Sequence, residues 1–223
     1  SEMCIRDSLK TFLKKDTYKS LICIKPDIII SCGSSLAPIN FILARENLAK
    51  SIVVMRPSVL STRRFDLVIM PQHDRPPKRK NIVAIEGALN LIDQDYLASC
   101  ARDLISYVKI NKGLVIGLLI GGDAKDFRLS ADLIKETISQ IKKILENLDA
   151  EILVTTSRRT SREVECLVKE EFKDYPRCKL LVIANEKNIP SAIGGILGLS
   201  QIIVTSPESI SMISEAVNSK KYV

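Results

Sequence analysis

Apolar residues in this chain form short β-branched runs that alternate with stretches in which they recur at helical spacing. This alternation predicts βαβ units, in which helices cover a parallel sheet. The predicted strands span residues 27–32, 51–55, 65–70, 81–85, 114–120, 151–155, 179–184 and 201–205. The first of them, with the sequence DIIISC, is predicted to be a strand of the buried type.

The segments between the strands predict helices over residues 36–49, 93–108, 130–148, 160–172, 190–199 and 207–218. In the third helix, six apolar residues fall on one stripe: Leu133, Ile134, Ile138, Ile141, Leu145 and Leu148. Two successive α/β blocks, joined near residues 109–113, predict the fold class as α/β, with two Rossmann-like domains, parallel sheets and a cleft that the domains face.

The two ends of the chain differ in character from the rest. Residues 1–8 read SEMCIRDS, which resembles a translated sequencing-adaptor scar and is excluded as non-native. The other end stops at Val223, where a further strand is predicted to begin. We therefore expect a partial N-terminal domain over residues 9–110 and a partial C-terminal, nucleotide-binding domain over 111–223; the alternative is a complete short protein with a frayed tail.

Composition narrows the function classes. The 33 basic residues exceed the 26 acidic ones and give a net charge of +7, which favours anionic partners. Aromatic residues make up only 4% of the chain, which argues against a stacking platform for single-stranded nucleic acid, and no nucleic-acid recognition motif is present. Six cysteines without a CxxC pair, and a single histidine, predict a reducing cytoplasmic environment and no metal site.

In the second block, we look for ligand-binding residues directly after each strand, because ligands of open parallel sheets bind beyond the carboxyl ends of the strands. Gly121 and Gly122 follow the strand 114–120 and let backbone N–H groups approach an anion, while Lys125 and Arg128 add positive charge. The alternative is a tight turn with solvated charges. Neither a P-loop nor a GxGxxG pattern is present.

The next strand is followed by Ser157, Arg158 and Arg159 at a predicted helix start. Helix N–H groups, the helix dipole and guanidinium forks all favour a phosphate there. Simple N-capping with surface arginines is the alternative.

The last predicted strand leads into a helix whose start is rich in hydroxyls. Ser206 or Ser209 can cap this helix. Ser211 and Glu215 lie four residues apart and therefore share a face. Hydroxyls and free N–H groups suit a nucleoside diphosphate, and the carboxylate suits a ribose diol. A capped amphipathic helix with a solvated glutamate is the alternative.

Two features of the first block could hold an acceptor substrate or an anion. Gly33 and Ser34 open a helix, and His73 lies beside Asp74 in a polar loop, where either side chain could act as a general base. The alternative is a loop in which His73 only bonds its neighbours. The stretch from Arg56 to Lys80 contains seven basic residues and only two acidic ones. Such a stretch could line a cleft that binds anions, contact a membrane surface, or form a solvated loop.

Five segments occur in order: FDLVIMPQHDRP, IEGALN, LIGGDAKDFRLS, LVTTSRRTS and VTSPESISMISEA. Together they closely resemble the mitochondrial fission ELM ("elongated mitochondria") family, over about residues 25–223. The resemblance implies a GT-B-like glycosyltransferase fold, incomplete here at both termini. It places Ser209, Ser211, Met212 and Glu215 at the donor nucleotide. It places seven residues around the diphosphate and sugar: Gly121, Gly122, Lys125, Arg128, Ser157, Arg158 and Arg159.

By analogy with that fold, the function expected is metal-independent sugar transfer from a nucleotide-sugar, with no cofactor required. The acceptor would enter beside Gly33, Ser34 and the His73–Asp74 loop, and an envelope lipid or glycan is a plausible class. Peripheral contact with the inner face of the membrane is a further expectation. The alternative is a non-catalytic scaffold or a membrane-surface binding protein on the same fold.

Overall fold

The computed structural model describes residues 14–124, 127–187 and 189–223. The chain has an α/β fold with two parallel four-stranded sheets, one in each of two compact units that divide after Gly87. The proposed scar at residues 1–8 lies outside the described residues. No helix in the described ranges is long and apolar enough to cross a membrane.

The first unit holds helices α1 (Lys15–Ile22) and α2 (Ala37–Asn47) and strands β1 (Ile28–Cys32), β2 (Lys50–Val54), β3 (Leu67–Pro71) and β4 (Ile82–Ile85). The strands lie in the order β1-β2-β3-β4 and are all parallel. Val53, Val68 and Met70 are fully buried and pack with Phe65 and Ala37, so the core lies between the sheet and α2.

Strand β1 does not have the burial that its apolar sequence predicts. It is an edge strand, and Ile28 and Ile30 remain 54% and 67% exposed. The prediction of a buried strand was wrong, because an apolar run does not reveal whether both faces are covered. Within the described part of the chain only one face is, through Ile29 packing with residues of α1 and α2.

The second unit holds helices α3 (Gln94–Ile105), α4 (Ala131–Asn147), α5 (Arg162–Phe172), α6 (Ala192–Leu199) and α7 (Ile210–Asn218). Its strands are β5 (Val115–Ile120), β6 (Glu151–Thr156), β7 (Cys178–Val182) and β8 (Ile202–Thr205), in the order β7-β6-β5-β8. Every residue of β5 and β6 is buried, because α4 and α5 cover one face and α3, α6 and α7 the other.

The predicted stripe on α4 is correct at its centre. Ile134, Ile138, Ile141 and Leu145 are buried against the sheet. Leu133 and Leu148 are 47% and 52% exposed, so the stripe is narrower than the sequence pattern.

Helix α3 packs within the second unit, whereas the sequence analysis drew the domain boundary after it, at residue 110. The helix lies against α6, whose glycines permit a close approach. A Cβ added at Gly194 would lie 2.7 Å from Cys100 Sγ, and one at Gly198 would lie 2.7 Å from the Leu97 carbonyl oxygen. The glycines of α6 lie on the face that contacts α3, and this face is covered only when α3 packs against it.

Candidate functional site

A cavity of about 710 Å³ opens in the second unit where β6 and β7 end and α7 begins. Its polar wall comes from the turn after β6 and from α7. Its apolar wall comes from Ile92 and the first turn of α3, and from the segment that leads into α6 together with the first turn of α6. The cavity thus brings together seven residues predicted from the sequence: Ser157, Arg158, Arg159, Ser209, Ser211, Met212 and Glu215.

The turns that follow β5 and β6 are joined to each other by a hydrogen bond and by close contact of their main chains. The Thr160 hydroxyl, which is 4% exposed, donates to the carbonyl of Gly121 and accepts a 2.9 Å hydrogen bond from the Ser157 N–H. A Cβ at Gly122 would overlap the main chain of Arg159. Glycine at 122 therefore lets the two turns touch, which holds Ser157 to Arg159 at the cavity rim.

The turn after β5 is joined in the same way to the loop after β8. The N–H of Gly121 donates a 2.8 Å hydrogen bond to Ser206 Oγ, which in turn donates at 2.8 Å to Glu208 Oε1. The other carboxylate oxygen, Oε2 of Glu208, is buried without a hydrogen-bond partner among the described residues. Sequence reasoning did not single out Glu208, although it follows a strand end as the predicted residues do.

The polar wall is a chain of close side chains. Arg159 Nη2 lies 3.5 Å from Ser209 Oγ, and Ser209 Oγ lies 3.4 Å from Ser211 Oγ. Ser209 is 2% exposed. The side chains that are predicted to bind phosphate come from two separate loops, and here they form one continuous surface.

The start of α7 differs from the starts of two other helices in the described chain. Ser130 and Ser161 each accept a hydrogen bond from a backbone N–H in the first turn of α4 and α5. Ser209 precedes α7 and makes no such bond, and the first turn of α7 has no acidic residue. Since the first N–H groups of a helix have no partner inside it, those of α7 are left for a ligand or for water.

Glu215 lies one turn further along α7, on the same face as Ser211, and lines the cavity. Burial raises the pKa of this half-buried carboxyl above its ordinary value. Tyr96 of α3 lines the cavity too, and its pKa is raised, first by a hydrogen bond with Cys100 and also by burial and by the charge of Glu215. The site thus combines cationic groups at one end with a partly desolvated carboxyl at the other.

Three predicted donor residues within the described ranges are not part of the lining. Gly121 and Gly122 are buried in the turn after β5, where Gly121 is hydrogen-bonded to Ser206 and Thr160. Arg128 is exposed and does not line it. Lys125 lies outside the described residues.

The predicted acceptor-side residues belong to the first unit. Gly33 has φ 100° and its N–H donates a 3.1 Å hydrogen bond to the Val54 carbonyl, so glycine is required there by the backbone. The carbonyl of Ser34 accepts a 3.3 Å hydrogen bond from Ser58 Oγ. His73 and Asp74 form a short turn after β3, with His73 Nε2 3.8 Å from Asp74 Oδ1. Their role as a general base remains a prediction.

The apolar wall was not predicted. It consists of Ile92, Tyr96, Ile189, Pro190 and Ile193. Ile92 and Tyr96 belong to the segment that the sequence analysis placed in the first domain. The signal that could have found them is the spacing of Gly194, Gly195 and Gly198, which requires a helix packed closely against α6.

Comparison with known proteins gives the family. The sequence matches the family described as Mitochondrial fission ELM1 over residues 5–223. The chain belongs to this family. It is 28% identical to the Mitochondrial fission protein ELM1 of Arabidopsis thaliana, over 89% of this chain and 51% of that protein. It is 24% identical to RP120, an uncharacterized protein of Rickettsia prowazekii, over 94% of this chain and 67% of that protein. The chain thus spans about half the length of the plant relative.

Solved structures show that the ELM1-family chain has a GT-B-like fold. The UDP-GlcNAc 2-epimerase of Methanocaldococcus jannaschii is similar with a TM-score of 0.56 and 15% identity, over 91% of this chain and 62% of the enzyme. The same enzyme in complex with UDP-GlcNAc and UDP is similar with a TM-score of 0.51 and 16% identity, over 92% of this chain and 61% of the enzyme.

Proposed function

We propose that this protein binds a nucleoside diphosphate sugar in the cavity of its second unit and is of the metal-independent glycosyltransferase type. One observation carries the proposal: Arg158 and Arg159, the uncapped start of α7 and the carboxyl of Glu215 surround the same cavity. The fold resembles that of an enzyme solved in complex with UDP-GlcNAc and UDP, which is consistent with the proposal. At 16% sequence identity, this likeness concerns the fold alone.

The diphosphate is assigned to the polar wall. Two guanidiniums can each form charge-assisted hydrogen bonds to phosphate oxygens, and the free N–H groups and dipole of α7 favour the same charge. Ser209 and Ser211 add hydroxyl donors within 3.4 Å of each other. Lys125 and Arg128, which follow Gly121 and Gly122, remain proposed sources of further positive charge.

The ribose is assigned to Glu215. An ionised carboxylate can accept hydrogen bonds from two vicinal hydroxyl groups, and Glu215 lies one helical turn from the hydroxyls of the polar wall. The base is assigned to the apolar wall, where Ile92, Pro190 and Ile193 would remove its faces from water and Tyr96 would contribute an aromatic edge.

Sugar transfer would use the same charges. As the bond from the anomeric carbon to the diphosphate oxygen breaks, guanidiniums and helix N–H groups stabilise the negative charge that develops, which is the task a metal performs elsewhere. The acceptor hydroxyl would form the new bond and lose its proton to His73 or Asp74, with Gly33 and Ser34 on the acceptor side. The acceptor class we retain is an envelope lipid or glycan.

Calorimetric titration of the full chain with UDP, UDP-GlcNAc and other nucleotide-sugars, in buffer with EDTA, tests this proposal. We expect binding without a divalent cation, and Arg158→Ala to weaken it by roughly ten- to hundred-fold, because hydrogen bonds to charged groups are lost. Arg162→Ala is the matched control, since Arg162 is exposed on the following helix and outside the cavity lining. A folded protein that binds vesicles but no nucleotide would instead favour the scaffold alternative.

A further inference from the structure

Three arginines of the first unit surround a second pocket, of about 380 Å³, at the amino ends of β2 and β3. Arg45 lies in the last turn of α2, and Arg63 and Arg64 lie in the short turn that leads into β3. Phe41 and Phe65 also line the pocket. This edge of the sheet is opposite to the carboxyl ends of the strands, where Gly33 and His73 lie.

The aromatic ring of Phe41 contacts two of these arginines. The guanidinium carbons of Arg45 and Arg64 lie 5.3 and 5.5 Å from the centroid of the Phe41 ring. Phe41 is itself fixed by an edge contact with Phe65, at 6.1 Å between ring centroids. A cation–π contact orders an arginine without cancelling its charge.

The carboxylate of Asp66 also lines the pocket, and it already has hydrogen-bond partners. Asp66 accepts hydrogen bonds from Ser51 N, Ser51 Oγ and Lys50 Nζ at 2.9, 3.0 and 3.1 Å. These contacts, led by the Ser51 N–H, lower the pKa of Asp66 and keep it ionised. Across the described part of the first unit, no ion pair engages the three pocket arginines.

Leu48 stands at the rim of the same pocket. It is 95% exposed and has a left-handed backbone with φ 55°, at the end of α2. Helix ends of this kind favour glycine or asparagine, because a Cβ is strained there. Neither its backbone conformation nor its exposure to water favours a leucine at this position, so the residue points to a partner that accepts an apolar side chain.

We propose that Arg45, Leu48, Arg63 and Arg64 form an arginine–leucine patch that docks on an anionic membrane surface. The guanidiniums bind lipid phosphates, and Leu48 enters the apolar boundary below the headgroups. Basic residues near such a surface are attracted by its negative potential, and a buried apolar side chain adds to the attraction. The patch belongs to the first unit and does not depend on nucleotide binding in the second.

Flotation of the full chain with vesicles tests the proposal. We expect the protein to bind vesicles of phosphatidylglycerol and phosphatidylcholine far better than vesicles of phosphatidylcholine alone, and to be released by salt. Arg45→Ala with Arg64→Ala should weaken partitioning about thirty-fold, from about 1 kcal/mol for each basic residue. Leu48→Asn should weaken it roughly ten-fold while keeping the fold, since asparagine suits the left-handed position.

Leu91→Asn is the matched control. Leu91 is 86% exposed in the second unit, and no lysine or arginine occurs from residue 81 to 100. Partitioning of Leu91→Asn should equal that of the unmodified chain. Equal binding to both vesicle types, equal losses for Leu48→Asn and Leu91→Asn, or binding to duplex DNA with none to vesicles would each overturn the proposal.

Discussion

The hydroxyl of Thr160 donates a hydrogen bond to the carbonyl of Gly121, and this contact joins the turn after β6 to the turn after β5. Thr160 is buried, and the same oxygen accepts a hydrogen bond from the N–H of Ser157. One side chain that is not part of the lining thus fixes the position of Ser157, Arg158 and Arg159 at the cavity of the second unit.

Thr160→Val is expected to lower the free energy of unfolding by about 2 kcal/mol. Valine has the shape of threonine but lacks the hydroxyl, so the buried carbonyl of Gly121 and the partly buried N–H of Ser157 lose their hydrogen-bond partner. Urea unfolding of the variant and the unmodified chain measures this loss. Thr137→Val is the control: Thr137 donates to the Leu133 carbonyl on an exposed face of α4, and its loss should change the free energy by less than about 0.5 kcal/mol. Equal losses would contradict the role assigned to Thr160.

Gly122→Ala is expected to destabilise the protein by about 1–3 kcal/mol and to weaken nucleotide binding, because the new methyl group would displace the main chain of Arg159. Gly113→Ala provides the comparison, since nothing lies within 4 Å of a Cβ at that position. It should be neutral or slightly stabilising. Thermal unfolding and nucleotide titration of both variants check the prediction. A neutral Gly122→Ala would show that the two turns do not touch as described.

Glu215→Gln is expected to separate stability from binding. Burial raises the pKa of Glu215 above its ordinary value of 4.5, so the stability linked to its protonation is fully present below that pH and is lost as pH rises through the folded-state pKa. The glutamine variant lacks this loss and should gain stability relative to the unmodified chain as pH rises. It should bind nucleotide roughly ten-fold more weakly at neutral pH, because an ionised acceptor is removed.

Urea midpoints from about pH 4 to pH 8, with a nucleotide titration at neutral pH, measure both effects. Glu170→Gln, on an exposed position of α5, should match the unmodified chain in both. Parallel pH profiles for Glu215→Gln and the unmodified chain would contradict the burial of this carboxyl.

Residues 88–105 are expected to be required for folding of the second unit. The Ala88 N–H donates to Ser214 Oγ at 2.8 Å, Asn218 Nδ2 donates to Asn90 Oδ1 at 2.9 Å, and α3 covers the glycines of α6. A fragment of residues 88–223 should unfold cooperatively in urea. A fragment of residues 111–223 should expose the α6 face, bind a hydrophobic dye and lose its cooperative transition. Equal cooperativity of the two fragments would instead support the predicted boundary at residue 110.

Much of the fold and part of the site follow from local sequence. Strands and helices have distinct apolar periods, and the carboxyl ends of parallel strands meet at one edge of a sheet. This rule is sufficient to bring Arg158 and Ser211 to the same cavity although they are far apart in sequence.

What the sequence could not supply depends on which surfaces pack together. The exposure of Ile28 and Ile30 depends on whether a helix covers that face of β1, and nothing in β1 itself records this. The contribution of Tyr96 depends on α3 crossing to α6. The basic stretch from Arg56 to Lys80 is also divided by the fold: Arg63 and Arg64 join Arg45 at the second pocket, whereas Arg79 donates to Thr62 Oγ1 at 2.7 Å.

Hydrogen–deuterium exchange of the full chain with and without saturating UDP-GlcNAc tests the central claim most directly, because it reports on the N–H groups assigned to the diphosphate. The account predicts slower exchange in the turn 157–160 and at the start of α7, residues 210–212, with little change in the first unit. Unchanged exchange at both segments, or protection confined to residues 14–87, would contradict it.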